Sequence, residues 1–370
     1  VWSRDGTGIF YTRYPREGER PKGDRLFYQQ VWFHRLGTPP ASDLYEIGKE
    51  FPRIAEVVLE SSPDGQRVLA RVANGDGGEF AFHLREPDGT WREVAGFSDR
   101  ITQAEFGRDP LYIESGRDNA LYLLSLLEAP RGRLLRLPFS AGSLGEATVI
   151  LPEGTNVLAT FRPSASGLAL VYRDGGPSHL RFLPFGEKTP LSPQEAPLTG
   201  IQELVVTHGD EILYQVASYT QPVAWRRYDP TLDRERVDST QLTSPSSVDF
   251  SDIEGVREKV LSKDGTRVPL TILRRKGTRL DGRNPVLLQG YGGYGISLSP
   301  RFDVTRRVWF DRGGILAIAN LRGGGEYGEQ WHTGGNLLRK QNVFDDFAAC
   351  ARSEERRVGK ECRSRWSPYH

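Results

Sequence analysis

The sequence predicts a β-propeller of about five blades over residues 1–250, followed by the front of an open α/β domain over 251–351. Three observations carry this reading. A polar turn followed by an apolar strand recurs at long spacing through the first part. No extended 3.6-residue apolar period appears there, so the texture is one of short strands and turns. Beyond it, short apolar runs end in glycine-rich loops.

The recurring unit is SRDG-TGIFYTRY at 3–14, SPDG-QRVLARV at 62–72 and GRDP-LYIES at 107–115. Weaker copies are SASG-LALVYR at 164–173 and THGD-EILYQVAS at 207–218. From Asp5 through Asp64, Asp109 and Ser166 to Asp210 the steps are 59, 45, 57 and 44 residues. Propeller blades of four strands run about 40 to 50 residues, so two steps fit directly and two need insertions. The Pro- and charge-rich stretch 15–25 is one such insertion. A β-sandwich repeats over shorter distances and fits less well.

In the second part, 256–261 and 267–273 flank the turn Lys263-Asp264-Gly265 and read as a hairpin. PVLLQ at 285–289 and GILAIA at 314–319 lack alternation, which predicts strands buried on both faces of a sheet. Each runs into a glycine-rich loop, GYGGYG at 290–295 and RGGGEYG at 322–328. Ligands of open α/β sheets gather at the carboxyl ends of strands.

Composition excludes several functions. Lys and Arg number 49 against 48 Asp and Glu, a net charge of +1, which indicates neither disorder nor a polyanion-binding surface. No window of 18 apolar residues exists to span a membrane. The two Cys fit no zinc spacing and make no disulfide framework, so neither metal nor cofactor is expected. The chain opens on Val1 and contains no Met, and is read as an excerpt of a longer protein. A cytoplasmic setting is the working expectation, with oligomeric state left open.

Residues 352–370, RSEERRVGKECRSRWSPYH, place charge on every face and interrupt an amphipathic helix expected over 343–351. With one codon chosen per residue, the string back-translates to a sequence resembling the adapter oligonucleotide of short-read libraries. It is set aside from fold reasoning as a translated scar.

The spacing of GYGGYG suggests a dinucleotide loop, but no acidic residue follows about twenty positions on at the tip of a second strand in a βαβ unit, Arg306, Arg307 and Trp309 occupying that region instead, and no Gly-Lys-Ser/Thr marks a P-loop. An oxyanion-hole loop fits better, because glycines admit close approach and donors there stabilise a developing oxyanion. The phenol of Tyr291 is either such a donor or a strand-end aromatic packed in the core. Residue types leave both open.

GYGGYG, ANLRGGGEYGEQWH at 319–332 and KQNVFDDF at 340–347 occur in this order, and together they resemble the prolyl oligopeptidase family of serine peptidases. The resemblance is strongest over 255–351 and looser through the β region. It implies a seven-bladed β-propeller over an α/β-hydrolase domain that cleaves short peptides after proline. This chain then carries about five of the blades and the N-terminal part of the hydrolase domain. Tyr291 matches the family's oxyanion tyrosine, and Tyr294 stands where a Phe usually lines the proline pocket, so its hydroxyl bears on specificity. Arg322, Glu326 and Tyr327 match the loop that holds the site. His332 does not match the catalytic His, and Asp345 and Asp346, adjacent on a helix, are expected to point apart.

The mechanism needs Ser, Asp and His with Ser on a Gly-x-Ser-x-Gly elbow. No such motif occurs, the nearest miss being AGSLG at 141–145, and the family pattern places all three triad members beyond residue 351. The chain as it stands is expected to be inactive, poorly soluble and without cooperative unfolding. Two alternatives are a propeller-based binding module with a non-catalytic hydrolase remnant, and an oligopeptidase of basic specificity. Short proline-containing peptides are the expected partners, with no nucleic acid and no membrane.

Overall fold

A computed structural model describes residues 1–107, 120–207, 209–281 and 283–358, the last four by their backbone alone. The chain divides into two compact units, 1–153 and 154–370. The expected strand LYIES and its Asp109 lie outside the described residues, as do 359–370.

The first unit holds three antiparallel meanders. They are β1 (Gly8–Arg13), β2 (Gln30–Arg35) and β3 (Leu44–Ile47); β4 (Ala55–Ser61), β5 (Val68–Asn74), β6 (Phe80–Arg85) and β7 (Trp91–Ala95); and β8 (Ile101–Phe106), β9 (Ala120–Ser125), β10 (Arg133–Pro138) and β11 (Thr148–Leu151). The second unit holds two more, β12 (Val157–Pro163), β13 (Gly167–Arg173) and β14 (Ser178–Pro184), then β15 (Thr199–Val206), β16 (Ile212–Ser218), β17 (Ala224–Tyr228) and β18 (Val237–Thr243). Five blade-like sheets therefore stand where the turn repeat predicts five.

The repeated Asp has a local reason. Asp64 Oδ1 accepts from Ser62 Oγ at 2.6 Å and from the Gln66 amide at 3.0 Å, which closes the tight turn into β5. Asp5 does the same before β1, accepting from Ser3, the Thr7 amide and the Thr7 hydroxyl. These side chains satisfy turn donors that the ladder leaves unpaired. The fourth sheet has no Asp of its own at 164–166. Its Ser164 hydroxyl and Ser166 amide donate instead to Asp210, from the next blade, at 2.6 and 2.7 Å.

The last sheet is mixed. β19 (Ile253–Leu261) and β20 (Arg267–Arg275) form the predicted hairpin, β22 (Ile315–Ala319) lies antiparallel to β20, and β21 (Val286–Gly290) runs parallel to β22. Helix α1 (Arg306–Asp311) connects β21 to β22, and α2 (Glu329–Thr333) and α3 (Gln341–Val358) follow. Every residue of β22 is buried, as its uninterrupted apolar run predicts. β21 is not buried on both faces: among the described residues it pairs only with β22, and Leu287 is 44% exposed. An apolar run shows that a strand is sheltered, whereas its place in the sheet depends on neighbours remote in sequence.

The helix also corrects an expectation. It continues without interruption past residue 351 to Val358, and Glu354 within it is buried. Arg and Glu are strong helix formers, so an established helix propagates through them without an apolar period. Val343, Phe347, Ala349 and Cys350 pack on Val268, Leu270, Ile272, Ile315 and Ala317. Burial raises the Cys350 thiol pKa to about 12, so it acts as a small apolar group.

Candidate functional site

The loops after β21 and β22 leave adjacent parallel strands at the same end. They lie backbone against backbone. The Gly295 amide donates to Gly323 O at 2.9 Å, and a Cβ at Gly323 would come within 2.4 Å of Gly292 O. A Cβ at Gly325 would meet Gly295 O at the same distance, and one at Gly292 would meet Arg322 O at 2.7 Å. The glycines thus let one loop seat on the other. Gly292, Gly295 and Gly323 also take φ values of +66°, +66° and +88°, which side chains rarely adopt.

Arg322 anchors this pair of loops from beneath. Its Nε donates to Asp346 Oδ2 at 2.9 Å and its Nη2 to Asp346 Oδ1 at 2.6 Å, a two-toothed pairing with a fully buried carboxylate. Its own amide donates to the same Asp346 at 3.2 Å. Nη1 reaches Asp264 at 2.5 Å, and Nη2 faces Ser262 Oγ at 3.4 Å. Bonding to Arg322 holds the Asp264 carboxyl down to about 2, and the two acids raise the Arg322 pKa further. Asp345 instead accepts from Gln341 at 3.1 Å while Asp346 points inward, so the two neighbours do point apart.

Glu326 does a related task with its carboxyl buried. Its Oε1 accepts from the Leu298 amide at 3.0 Å and from Asn320 Nδ2 at 3.1 Å, joining the ends of both loops. Burial pushes its pKa up. The turn of the fourth blade closes over it, with the Gly175 amide donating to Glu326 O at 3.2 Å and Arg173 donating to Gly325 O at 3.4 Å. Arg257 of β19 donates to Asp174 O at 2.5 Å on the same turn. Tyr327 stacks edge-on against Trp331 with centroids 5.0 Å apart, and burial raises its hydroxyl pKa.

The two loop tyrosines point outward. Tyr291 is 47% exposed, which disfavours the packed-core alternative, and Tyr294 is 76% exposed with a left-handed φ of 53°. A left-handed tyrosine is uncommon and costs free energy, so the surrounding loop pair imposes it. His332 packs against Gly295, its ring 3.7 Å from where a Cβ there would lie, and its Nδ1 sits 3.7 Å from Glu329. Among the described residues no group of three or more His, Cys, Asp or Glu is placed to hold a metal, and no helix is long and apolar enough to cross a membrane.

Three participants were not singled out from the sequence as site residues. Asp264 sits in a Ser-x-Asp-Gly turn like those of the blades, a signal that was present but read only as a hairpin. Lys340 opens the motif KQNVFDDF and donates from Nζ to Gly292 O at 2.7 Å. The fourth-blade turn at 174–176 carries no mark in the sequence of what it touches.

Residues 1–240 match the prolyl oligopeptidase N-terminal β-propeller domain, and residues 300–355 match the prolyl oligopeptidase family domain. A prolyl endopeptidase of Elizabethkingia meningoseptica is 31% identical over 352 residues, covering 92% of this chain and 47% of the relative. A dual function macrocyclase-peptidase of Amanita bisporigera is 27% identical, covering 95% of this chain and 48% of its own. A solved prolyl endopeptidase superposes with a TM-score of 0.84 at 26% identity, over 96% of this chain and 51% of that one. The substrate-bound prolyl oligopeptidase B of Galerina marginata gives a TM-score of 0.81 at 24% identity, a likeness of fold. The chain spans about half the length of the curated relatives it matches.

Proposed function

Because the chain belongs to the prolyl oligopeptidase family, we propose that it is the propeller and leading hydrolase portion of a serine-type peptidase that cleaves short peptides after proline. The division follows the sequence, with blades over 1–250 and hydrolase strands over 251–351. The observation that carries the reading is the pair of interlocked glycine loops at the carboxyl ends of β21 and β22, with Tyr291 exposed on them.

In this reading a serine supplied by the remainder of the protein attacks the scissile carbonyl carbon. The carbonyl oxygen takes up the electron pair, and Tyr291 donates its phenolic hydrogen bond to that oxygen. A donor held in place before the charge develops spends no free energy on reorienting, and one such donor is worth about 10²–10³ in rate. Tyr294 faces the proline ring of the substrate. Arg322, Glu326 and Tyr327 act through the loops by holding them in register. Residues 1–370 contain no Gly-x-Ser-x-Gly and are inactive alone.

A fluorophosphonate serine probe and a fluorogenic prolyl peptide test this on two proteins. The full-length gene product is expected to label and to cleave, with Tyr291→Phe lowering kcat about 10²–10³. The 370-residue chain is expected to do neither. Specific labelling of that chain, or full turnover by the Tyr291→Phe enzyme, would remove the basis for the assignment.

A further inference from the structure

The Lys340 ammonium enters the loop-holding network through a backbone carbonyl and not through an ion pair. Arg322 has two carboxylates and Arg257 has Asp174, but Lys340 makes no ion pair among the described residues. Its Nζ is spent on one acceptor, the carbonyl of Gly292, at 2.7 Å. That carbonyl follows Tyr291 in the chain and belongs to a residue at φ +66°. The next residue, Gly293, sits against both groups. A Cβ placed on it would lie 3.6 and 3.7 Å from Cε1 and Cζ of Tyr291 and 3.8 Å from Lys340 Nζ, ordinary contact distances. The tyrosine ring and the ammonium therefore both border the side of Gly293 on which a Cβ would stand.

Two consequences follow from elementary chemistry. A charged donor on the Gly292 carbonyl fixes the orientation of the 292–293 peptide, and with it the path of the chain out of Tyr291. A cation with no ion pair among the described residues, close to the Tyr291 ring, also favours negative charge developing beside that ring. Of the two acids on the helix that follows, Asp346 is paired with Arg322.

The geometry points to Lys340 as a positioning residue of the oxyanion loop, holding the Gly292 carbonyl so that Tyr291 meets the reacting oxygen. The assignment rests on the acyl-transfer reading above and deepens it. The full-length protein is compared as wild type, Lys340→Met, Lys340→Arg, Tyr291→Phe and the Lys340→Met/Tyr291→Phe pair, using a fluorogenic prolyl peptide. Lys340→Met is expected to lower kcat roughly tenfold to a hundredfold with KM within about twofold. Lys340→Arg is expected to restore most of the rate, because a guanidinium can reach the same carbonyl. The double variant is expected to be no slower than Tyr291→Phe alone, since both act through one hydrogen bond. Losses that multiply in the double variant, or a Lys340→Met enzyme within about twofold of wild type, overturn the proposal. A wild-type protein that turns over no prolyl peptide defeats the functional reading instead. The loop is then read on the 370-residue chain by amide exchange. Faster exchange at 292–295 in Lys340→Met but not in Lys340→Arg supports the carbonyl anchor, and equal exchange in all three refutes it.

Discussion

Replacing Arg322 by Met keeps much of the side-chain volume and removes its five donors. Among the described residues the Asp346 carboxylate, 0% exposed, then keeps only the residue 322 amide at 3.2 Å. Breaking a buried ion pair from one side costs about 3–5 kcal/mol, because the surviving charge stays desolvated. Asp264 adds little, since its side chain is 47% exposed and returns to water, a change of at most about 1 kcal/mol. The assay is amide hydrogen exchange, which reports local opening even where global unfolding is not two-state. At tenfold per roughly 1.4 kcal/mol, amides of 320–323 and 343–350 exchange about 150- to 5,000-fold faster. Adding Asp346→Asn discharges the carboxyl but leaves an oxygen to accept from the 322 amide, so the double variant recovers about 2 kcal/mol. A double variant as unprotected as Arg322→Met, or a single variant within about tenfold of wild type, refutes the claim that a buried pair holds these loops.

Three further outcomes are open to direct measurement. Glu326 has a raised folded pKa, so the folded state binds its proton more tightly and stability falls as pH rises above the ordinary glutamate value of 4.5. Glu326→Gln is expected to abolish that slope in melting temperature against pH, and parallel profiles for the two proteins count against it. Gly323→Ala meets Gly292 O and needs φ +88°, so it is expected to cost at least about 2 kcal/mol of local stability, read by amide exchange. Gly313→Ala, at φ +76° with open space around it, is expected to cost only about 1 kcal/mol, and equal losses at the two sites contradict the loop-seating account. Asp210→Ala is expected to raise amide exchange in β13, on the neighbouring blade, by an amount equivalent to about 1–2 kcal/mol. Exchange confined to β16 disproves the cross-blade tie.

What could be read from the sequence was what is local. A Ser-x-Asp-Gly turn declares itself because its partners lie within five residues, as Ser62, Asp64 and Gln66 show, and such turns marked the first two blades. The β19–β20 hairpin was legible for the same reason, as was the completely buried β22. The loop tyrosines were found through motif resemblance, while their exposure and the left-handed φ of Tyr294 are set by loops seated on one another. Arg322 was named as architecture, but its partners Asp264 and Asp346 lie 58 and 24 residues away. No period or spacing rule connects such positions. The same limit explains the misplaced burial of β21, whereas the helix continues past 351 for a local reason, the helix propensity of its Arg and Glu residues.

The carboxylate that Asp210 lends to Ser164 and Ser166 makes the fourth and fifth blades poor interchangeable parts. A crossover placed between β14 and β15 would carry the acid off with one parent and leave two hydroxyl and amide donors with the other. Shuffled or duplicated blades from this chain therefore need their seams inside the β15–β16 turn's downstream side, so that the lender travels with its borrower. Sequence repeats mark one set of module edges here, and hydrogen bonds mark another.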